Sequence, residues 1–237
     1  MIDGRIMGEG MPKYLNSPES IIFQKRRNLY GLNIAKKHIR TIDRAIFVEG
    51  TTDVISSWSA GVPNVVAPLG TGITEDQLDR LKRYSENISV AFDDDNAGRN
   101  AHLRLAILAF SKGFSVFSVR IPKGKDPDEC IRIDPEVWKK AANSPLPTIS
   151  FFLDIQTETH DNKTLEGKQA IVKAIAPLMN AVSDPIIYEH HLEEISTVVD
   201  VPVPELKRQI PKLRQTRSFD QPPLRRVSRP QERLNDT

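Results

Sequence analysis

At 237 residues the chain is long enough for one well-built core with an accessory piece and too short for a large scaffold. Its 33 Lys and Arg nearly cancel its 31 Asp and Glu, but the charge is uneven: residues 1–43 carry a net +4, residues 44–206 a net −8 and residues 207–237 a net +6. A single cysteine, Cys130, excludes an internal disulfide and a Cys-rich zinc site, no apolar run approaches the roughly 20 residues of a membrane span, and the first residues lack signal-peptide order, so a cytoplasmic protein with no membrane partner is expected.

In chain order, Arg44 to Glu49 reads as a strand buried on both faces, and a helix from about Asp53 to Ser59 follows. Asn64 to Ala67 is the second strand. The next helix opens at Thr74, where Thr74 and Gln77 have the spacing of a capping box. Ile88 to Phe92 is the third strand, a long helix covers about Ala97 to Lys112, Gly113 stops it, and Phe114 to Arg120 is the fourth strand. Four strand–helix alternations predict an α/β domain with a mostly parallel sheet flanked by helices. From about Pro135 the pattern is helical only, with helices expected over Pro147 to Thr157, Leu165 to Val182, Pro185 to Val199 and Pro204 to Leu213, a small helical subdomain. Beyond Arg214 the chain is Pro- and Arg-rich with few large apolar residues, and a flexible basic tail or linker is expected.

In a parallel α/β sheet the functional positions lie at the carboxyl ends of the strands. The acids gather there. Glu49 closes the first strand with Asp53 one helical turn on, Asp93, Asp94 and Asp95 close the third, and Asp126 and Asp128 follow the fourth. Convergent carboxylates raise one another's pKa unless hard cations neutralise them, and oxygen-only ligation suits Mg²⁺ or Mn²⁺. For any single acid a solvated loop residue or helix cap is an equally good reading; the combination of Glu49, Asp93 and Asp95 favours a metal site. A calcium loop starting at Asp93 fails, because Ala97 stands at its fifth position and Arg104 at its twelfth, where a bidentate Glu is required. His190 and His191 are adjacent on a helix and point different ways, which does not make a metal site.

Three segments, Glu49-Gly-Thr-Thr-Asp53-Val54, Phe92-Asp-Asp-Asp95-Asn-Ala-Gly98 and Gly124-Lys-Asp-Pro-Asp128-Glu129, resemble the three motifs of a Toprim domain. Pro12-Lys-Tyr-Leu-Asn-Ser-Pro-Glu19, Phe23-Gln-Lys25, Leu29-Tyr-Gly-Leu32 and Leu69-Gly-Thr71 further resemble the catalytic core of bacterial DnaG-type primases. The resemblance implies four regions: residues 1–43 as the C-terminal part of a preceding polymerase-core subdomain, 44–130 as the Toprim domain, 131–213 as a helical subdomain and 214–237 as the tail. It implies Glu49, Asp93 and Asp95 as catalytic residues and metal ligands, with Asp53, Asp126 and Asp128 as further metal contacts for two or more Mg²⁺ or Mn²⁺ ions. Lys13, Tyr14, Asn16 and Lys25 match groove positions for template and nucleotide phosphates; Tyr14 fits base stacking and sheet-edge packing equally well.

The activity so implied is synthesis of short RNA primers from ribonucleoside triphosphates on a single-stranded DNA template. The family's zinc-binding domain, the first half of its polymerase core and its helicase-binding domain find no counterpart in this reading, so the replicative helicase is expected to be met through a domain absent here and the chain reads as a fragment. A Toprim-type nuclease and a non-catalytic nucleic-acid-binding remnant are the alternatives. Two departures stand out: Thr51 where the family commonly has Tyr, and Asp94 where it has Gly, the latter predicting conflict with a backbone that suits Gly.

Overall fold

The computed structural model describes residues 3–5, 14–16, 20, 24–70 and 72–213, with the backbone alone at 3–5, 14–16, 212 and 213. Lys13, Thr71 and the expected tail beyond Arg214 lie outside the described residues, as does most of the segment from Pro12 to Phe23. Near the N-terminus β1 (Asp3–Arg5) and β2 (Tyr14–Asn16) form an antiparallel pair in which Arg5 faces Tyr14.

β3 (Leu29–Tyr30) and α1 (Leu32–Ile42) precede the first of the expected strands. Leu32, Ala35 and Ile39 recur at helical spacing and bury, which fixes α1 against the sheet. In β4 (Ala45–Phe47) Ala45 and Phe47 bury on one face, while Ile46 and the following Val48 bury on the other. That double burial requires helices on both sides. β5 (Val65–Pro68), β6 (Asn87–Val90) and β7 (Ser115–Ser118) complete the expected parallel centre, whose order is β5-β4-β6-β7. Two short antiparallel edges were not: β3 pairs with β5, and β8 (Leu146–Pro147) with β7.

Caps set the helix starts. α2 (Thr51–Ser59) begins two residues earlier than expected because Asp53 sits in its first turn and accepts from the Gly50 N–H. α3 (Glu75–Leu81) carries the predicted box, Thr74 accepting from the Gln77 N–H and Gln77 returning to the Thr74 N–H. Asp95 caps α4 (Asn96–Ser111). α5 (Pro127–Ile133) and α6 (Pro135–Asn143) each begin with a capping Asp followed by Pro, at Asp126-Pro127 and Asp134-Pro135. α7 (Thr148–Thr159), α8 (Leu165–Met179), α9 (Pro185–Val199) and α10 (Val203–Leu213) are the expected helices of the C-terminal region, α9 with the expected ends and the other three with one or both ends shifted by one to three residues.

One apolar core joins α1, α3, α4 and one face of the sheet to α7, α8, α9 and α10 without a break. A smaller core on the other face takes Val54 of α2, Cys130 of α5 and Trp138 of α6. Packing therefore continues across residues 43/44, and residues 131–143, expected in the helical subdomain, cover the sheet instead. No described helix is long and apolar enough to cross a membrane.

Candidate active site at the carboxyl edge of the sheet

The chain leaves β4 into Glu49, β6 into Asp93, and β7 into the loop holding Asp126, so parallel strands bring all three segments to one edge. Glu49 Oε1 accepts from the Asp93 N–H at 3.1 Å, and the Asp94 N–H donates to the Lys125 carbonyl at 3.0 Å. These two bonds tie the first, second and third acidic segments together. Gly98 completes the seam: a Cβ there would stand 2.2 Å from the Asp93 carbonyl oxygen and 2.8 Å from Glu49 Oε1, so the first turn of α4 closes on both only as glycine. Gly124, at φ +74°, serves a turn in which a side chain would also meet Glu129.

The acids differ in what they are free to do. Asp53 is almost fully buried, accepts from the Gly50 N–H at 3.0 Å and the Asp128 N–H at 3.3 Å, and has no cation partner among the described residues. Burial, helped by the Asp126 and Asp93 charges and opposed by those two amides, pushes its carboxyl up to about 7. Burial also raises Glu49, with the Asp93 and Asp95 charges adding to the effect. Asp95 and Asp126 each spend an oxygen on a helix cap, to Gly98 and Glu129, both at 2.7 Å. Asp128 is engaged by Arg132 at 2.7 Å and by the Ser56 hydroxyl, and Asp94 by Arg99 at 2.8 Å. Glu49, Asp53, Asp95 and Asp126 thus face an edge where no described cation pairs with them. Asp94 does not adopt the left-handed backbone, the expected conflict with a glycine-like conformation is not seen, and its charge is compensated by Arg99.

Among the described residues no three His, Cys, Asp or Glu side chains come close enough to form a closed metal cage. The donor set still fits one kind of ion. Mg²⁺ is held through one or two carboxylates and keeps several waters, so partly buried, mutually repelling carboxylates at an open edge suit it better than a closed site would. His191 donates or accepts at Glu194, 2.9 Å away, and does not join any such site. Lys25 lies in a turn whose carbonyl accepts from the buried Gln77 side chain at 3.0 Å. Tyr14 and Asn16 lie in β2. Reading the sequence missed Gly98, Ser56 and Arg132; of these only Gly98 had a signal, its place in the second acidic segment.

A parallel α/β sheet with Glu after one strand and a D-x-D segment after its neighbour is a Toprim-type domain. The Toprim-like family matches residues 46–131, the N-terminal domain of the DNA primase catalytic core matches residues 2–36, and the DnaB-helicase binding domain of primase matches residues 149–203. A DNA primase of Clostridium acetobutylicum is 36% identical over 196 residues, covering 81% of this chain and 32% of that protein. The solved DnaG catalytic core superposes with a TM-score of 0.69 at 30% identity, over 86% of this chain and 67% of that one. A DnaG primase catalytic domain bound to single-stranded DNA gives 0.70 at 30% identity, over 86% and 66%.

The chain belongs to the bacterial DnaG-type primase family. It spans about a third of the length of the curated relatives it matches. The match at residues 149–203 corrects one expectation: a segment similar to the helicase-binding domain lies within the C-terminal helices, whose apolar periodicity carries no motif by which a sequence reading finds it.

Proposed function

We propose that this chain forms the Toprim half of a primase catalytic core, extending RNA primers from ribonucleoside triphosphates on single-stranded DNA by attack of a 3′-hydroxyl on an α-phosphate. The observation that carries this is the convergence of Glu49, Asp53, Asp93, Asp95 and Asp126 on one edge, where burial and neighbouring carboxylates hold Glu49 and Asp53 above their ordinary pKa. Glu49, Asp93 and Asp95 would hold Mg²⁺ or Mn²⁺, with Asp53, Asp126 and Asp128 contacting a second ion or its waters. A bound divalent ion supplies Lewis-acid stabilisation of phosphoryl charge and activation of the attacking oxygen.

The chain's own residues prepare that edge. The Asp93 amide fixes the Glu49 carboxylate, the Gly98 turn holds it against the strand end, and Asp53 stores a proton that it gives up when positive charge arrives. Lys13 and Lys25, with Tyr14 and Asn16, would line the path of triphosphate and template. The relative solved with single-stranded DNA supports that ligand. The match at residues 149–203 supports the replicative helicase as a partner, through the C-terminal helices. The setting is the replicating cytoplasm.

Primer synthesis on a single-stranded template tests the reading. Glu49→Gln should lower the rate by at least about 100-fold, the scale for removing one preorganised electrostatic group. Asp154→Asn, an exposed acid on α7, should leave it within twofold. Equal losses would reject metal-assisted chemistry at this edge, and cleavage of labelled strands without added nucleotides would replace it with a nuclease.

A further inference from the structure

The described arginines differ in whether a carboxylate meets them. Arg99, Arg120, Arg132 and Arg208 each pair with a carboxylate. Arg26, Arg27, Arg40, Arg44, Arg80, Arg83 and Arg104 pair with no carboxylate among the described residues, and four of these, Arg26, Arg27, Arg80 and Arg83, belong to the turn at residues 24–28 and to α3 and its C-terminal end, which are bonded to each other. Arg27, Arg80 and Arg83 line a polar cavity of about 400 Å³ between the turn at residues 24–28 and α3, with Tyr84 at one side.

The turn is built to hold them still. Gln77 is 1% exposed and donates from Nε2 to the carbonyls of Lys25 at 3.0 Å and Asn28 at 2.9 Å. The Thr74 hydroxyl donates to the Arg26 carbonyl at 2.5 Å, and Arg80 donates to Asn28 Oδ1 at 2.7 Å. The backbone acceptors of an exposed turn are thereby drawn inward onto one helix, which leaves the Arg26 and Arg27 guanidiniums outward on a rigid base. Of the two acids nearby, Asp79 is taken by Lys112 at 3.0 Å, leaving Asp76 as the one opposing charge. A preorganised set of unpaired guanidiniums over a wet cavity is a binding surface for phosphate oxygens, which arginine meets bidentately.

Its course runs from the acidic edge outward. Leu29 pairs with Pro68 at the carboxyl end of β5, so the turn lies near the acid-bearing edge, whereas α3 runs from that edge back toward the start of β6. We propose that the turn at residues 24–28 and the exposed side of α3 form a phosphate-contact track, centred on Arg27 and Arg83, that holds the sugar–phosphate backbone of single-stranded DNA beyond the metal edge. The choice of ligand rests on the primase reading; the anion-binding surface does not.

Fluorescence anisotropy with a labelled oligothymidylate, across a salt series, tests it. The Arg27→Ala, Arg83→Ala double variant should bind on the order of tenfold more weakly at 0.1 M salt and lose about 1.4 from the slope of log affinity against log salt, two contacts at about 0.7 each. Lys140→Ala, Lys173→Ala removes the same charge from other helices and should stay within twofold of the unchanged chain. Asp76→Asn should tighten binding. An unchanged slope in the arginine variant overturns the track. So does a variant that loses affinity for inorganic tripolyphosphate but not for the oligonucleotide, which would make the cavity a site for free polyphosphate. Calorimetric titration with Mg²⁺ separates this from the proposed activity: a chain that ignores Mg²⁺ yet shows the arginine effect keeps the track and loses the catalytic reading.

Discussion

Helix α4 meets two polar clusters within its first two turns, and each handles burial differently. At its start the acidic edge leaves Glu49 and Asp53 partly or largely buried with no described cation in contact, so desolvation suppresses their ionisation. One turn beyond Gly98, His102 is fully enclosed: Ser118 Oγ lies 2.9 Å from its Nε2, Thr148 Oγ1 lies 2.9 Å from the same Ser118 oxygen, and Phe151 stacks on the ring at 5.4 Å. Burial lowers the imidazole pKa to about 3, so this knot is neutral. A satisfied network has nothing left to offer a ligand, whereas the edge has suppressed charge that a cation would restore. The His102 network joins α4 to β7 and α7, while the acidic edge keeps carboxylates that no described cation meets.

pH separates the two clusters most strongly, because they load stability with opposite signs. Folded Asp53 keeps a proton that the unfolded chain releases above 3.8, so without metal its contribution, on the order of 4 kcal/mol, is lost as pH rises from about 4 through about 7. Folded His102 refuses a proton that the unfolded chain binds below 6.5, so its contribution, of similar scale, is lost as pH falls from 6.5 toward about 3. Between about pH 4 and 6.5 the two slopes oppose each other. Denaturant unfolding of the metal-free protein should therefore show Asp53→Asn gaining stability with rising pH in that window and His102→Gln losing it. Identical profiles in both variants and the unchanged chain would reject the assignment of either group.

Packing gives the next test. Gly98→Ala drives a methyl group into the Asp93 carbonyl and should cost about 3 kcal/mol or more, beyond ordinary overpacking, because the obstacle is backbone. Gly70→Ala meets no atom within 4 Å and should stay within about 0.5 kcal/mol. Urea midpoints decide it; equal costs would mean that the seam between α4 and the acidic segments yields freely.

The same two clusters show what could be read in advance. Glu49, Asp93 and Asp126 were legible because apolar runs mark the strands and each acid follows one, a local signal. Thr74 and Gln77 were legible as a cap for the same reason. Asp126-Pro127 and Asp134-Pro135 have the form of helix starts, but α5 and α6 were not expected there, and residues 131–143 were assigned to a helical subdomain, since nothing local says which face of a sheet a helix covers. The two-residue strands β3 and β8 are too short to show a period. His102, Ser118 and Thr148 are separated by 16 and 30 residues, and the arginine track spans 56 positions from Arg27 to Arg83; such partners are chosen by topology alone.

The smallest expected effect concerns Asp94, the acid inside the edge that has already found a partner. Asp94 and Arg99 are 58% and 42% exposed, so their 2.8 Å contact belongs to a class worth between about 0 and 1 kcal/mol. Because the backbone at Asp94 is not left-handed, Asp94→Gly brings no conformational relief and its main consequence is electrostatic. It frees the Arg99 cation one turn from Asp95, and calorimetry should find Mg²⁺ binding two- to threefold weaker, a difference of about 0.5 kcal/mol. Adding Arg99→Ala should return the affinity to its starting value, as a double-mutant cycle on one pair requires. Raising the salt to about 0.5 M should erase the single-variant effect, since both side chains are screened. An affinity that rises in Asp94→Gly would instead mean that Asp94 competes with the ion through its own backbone position, and would move it from compensated bystander into the set of acids that shape the edge.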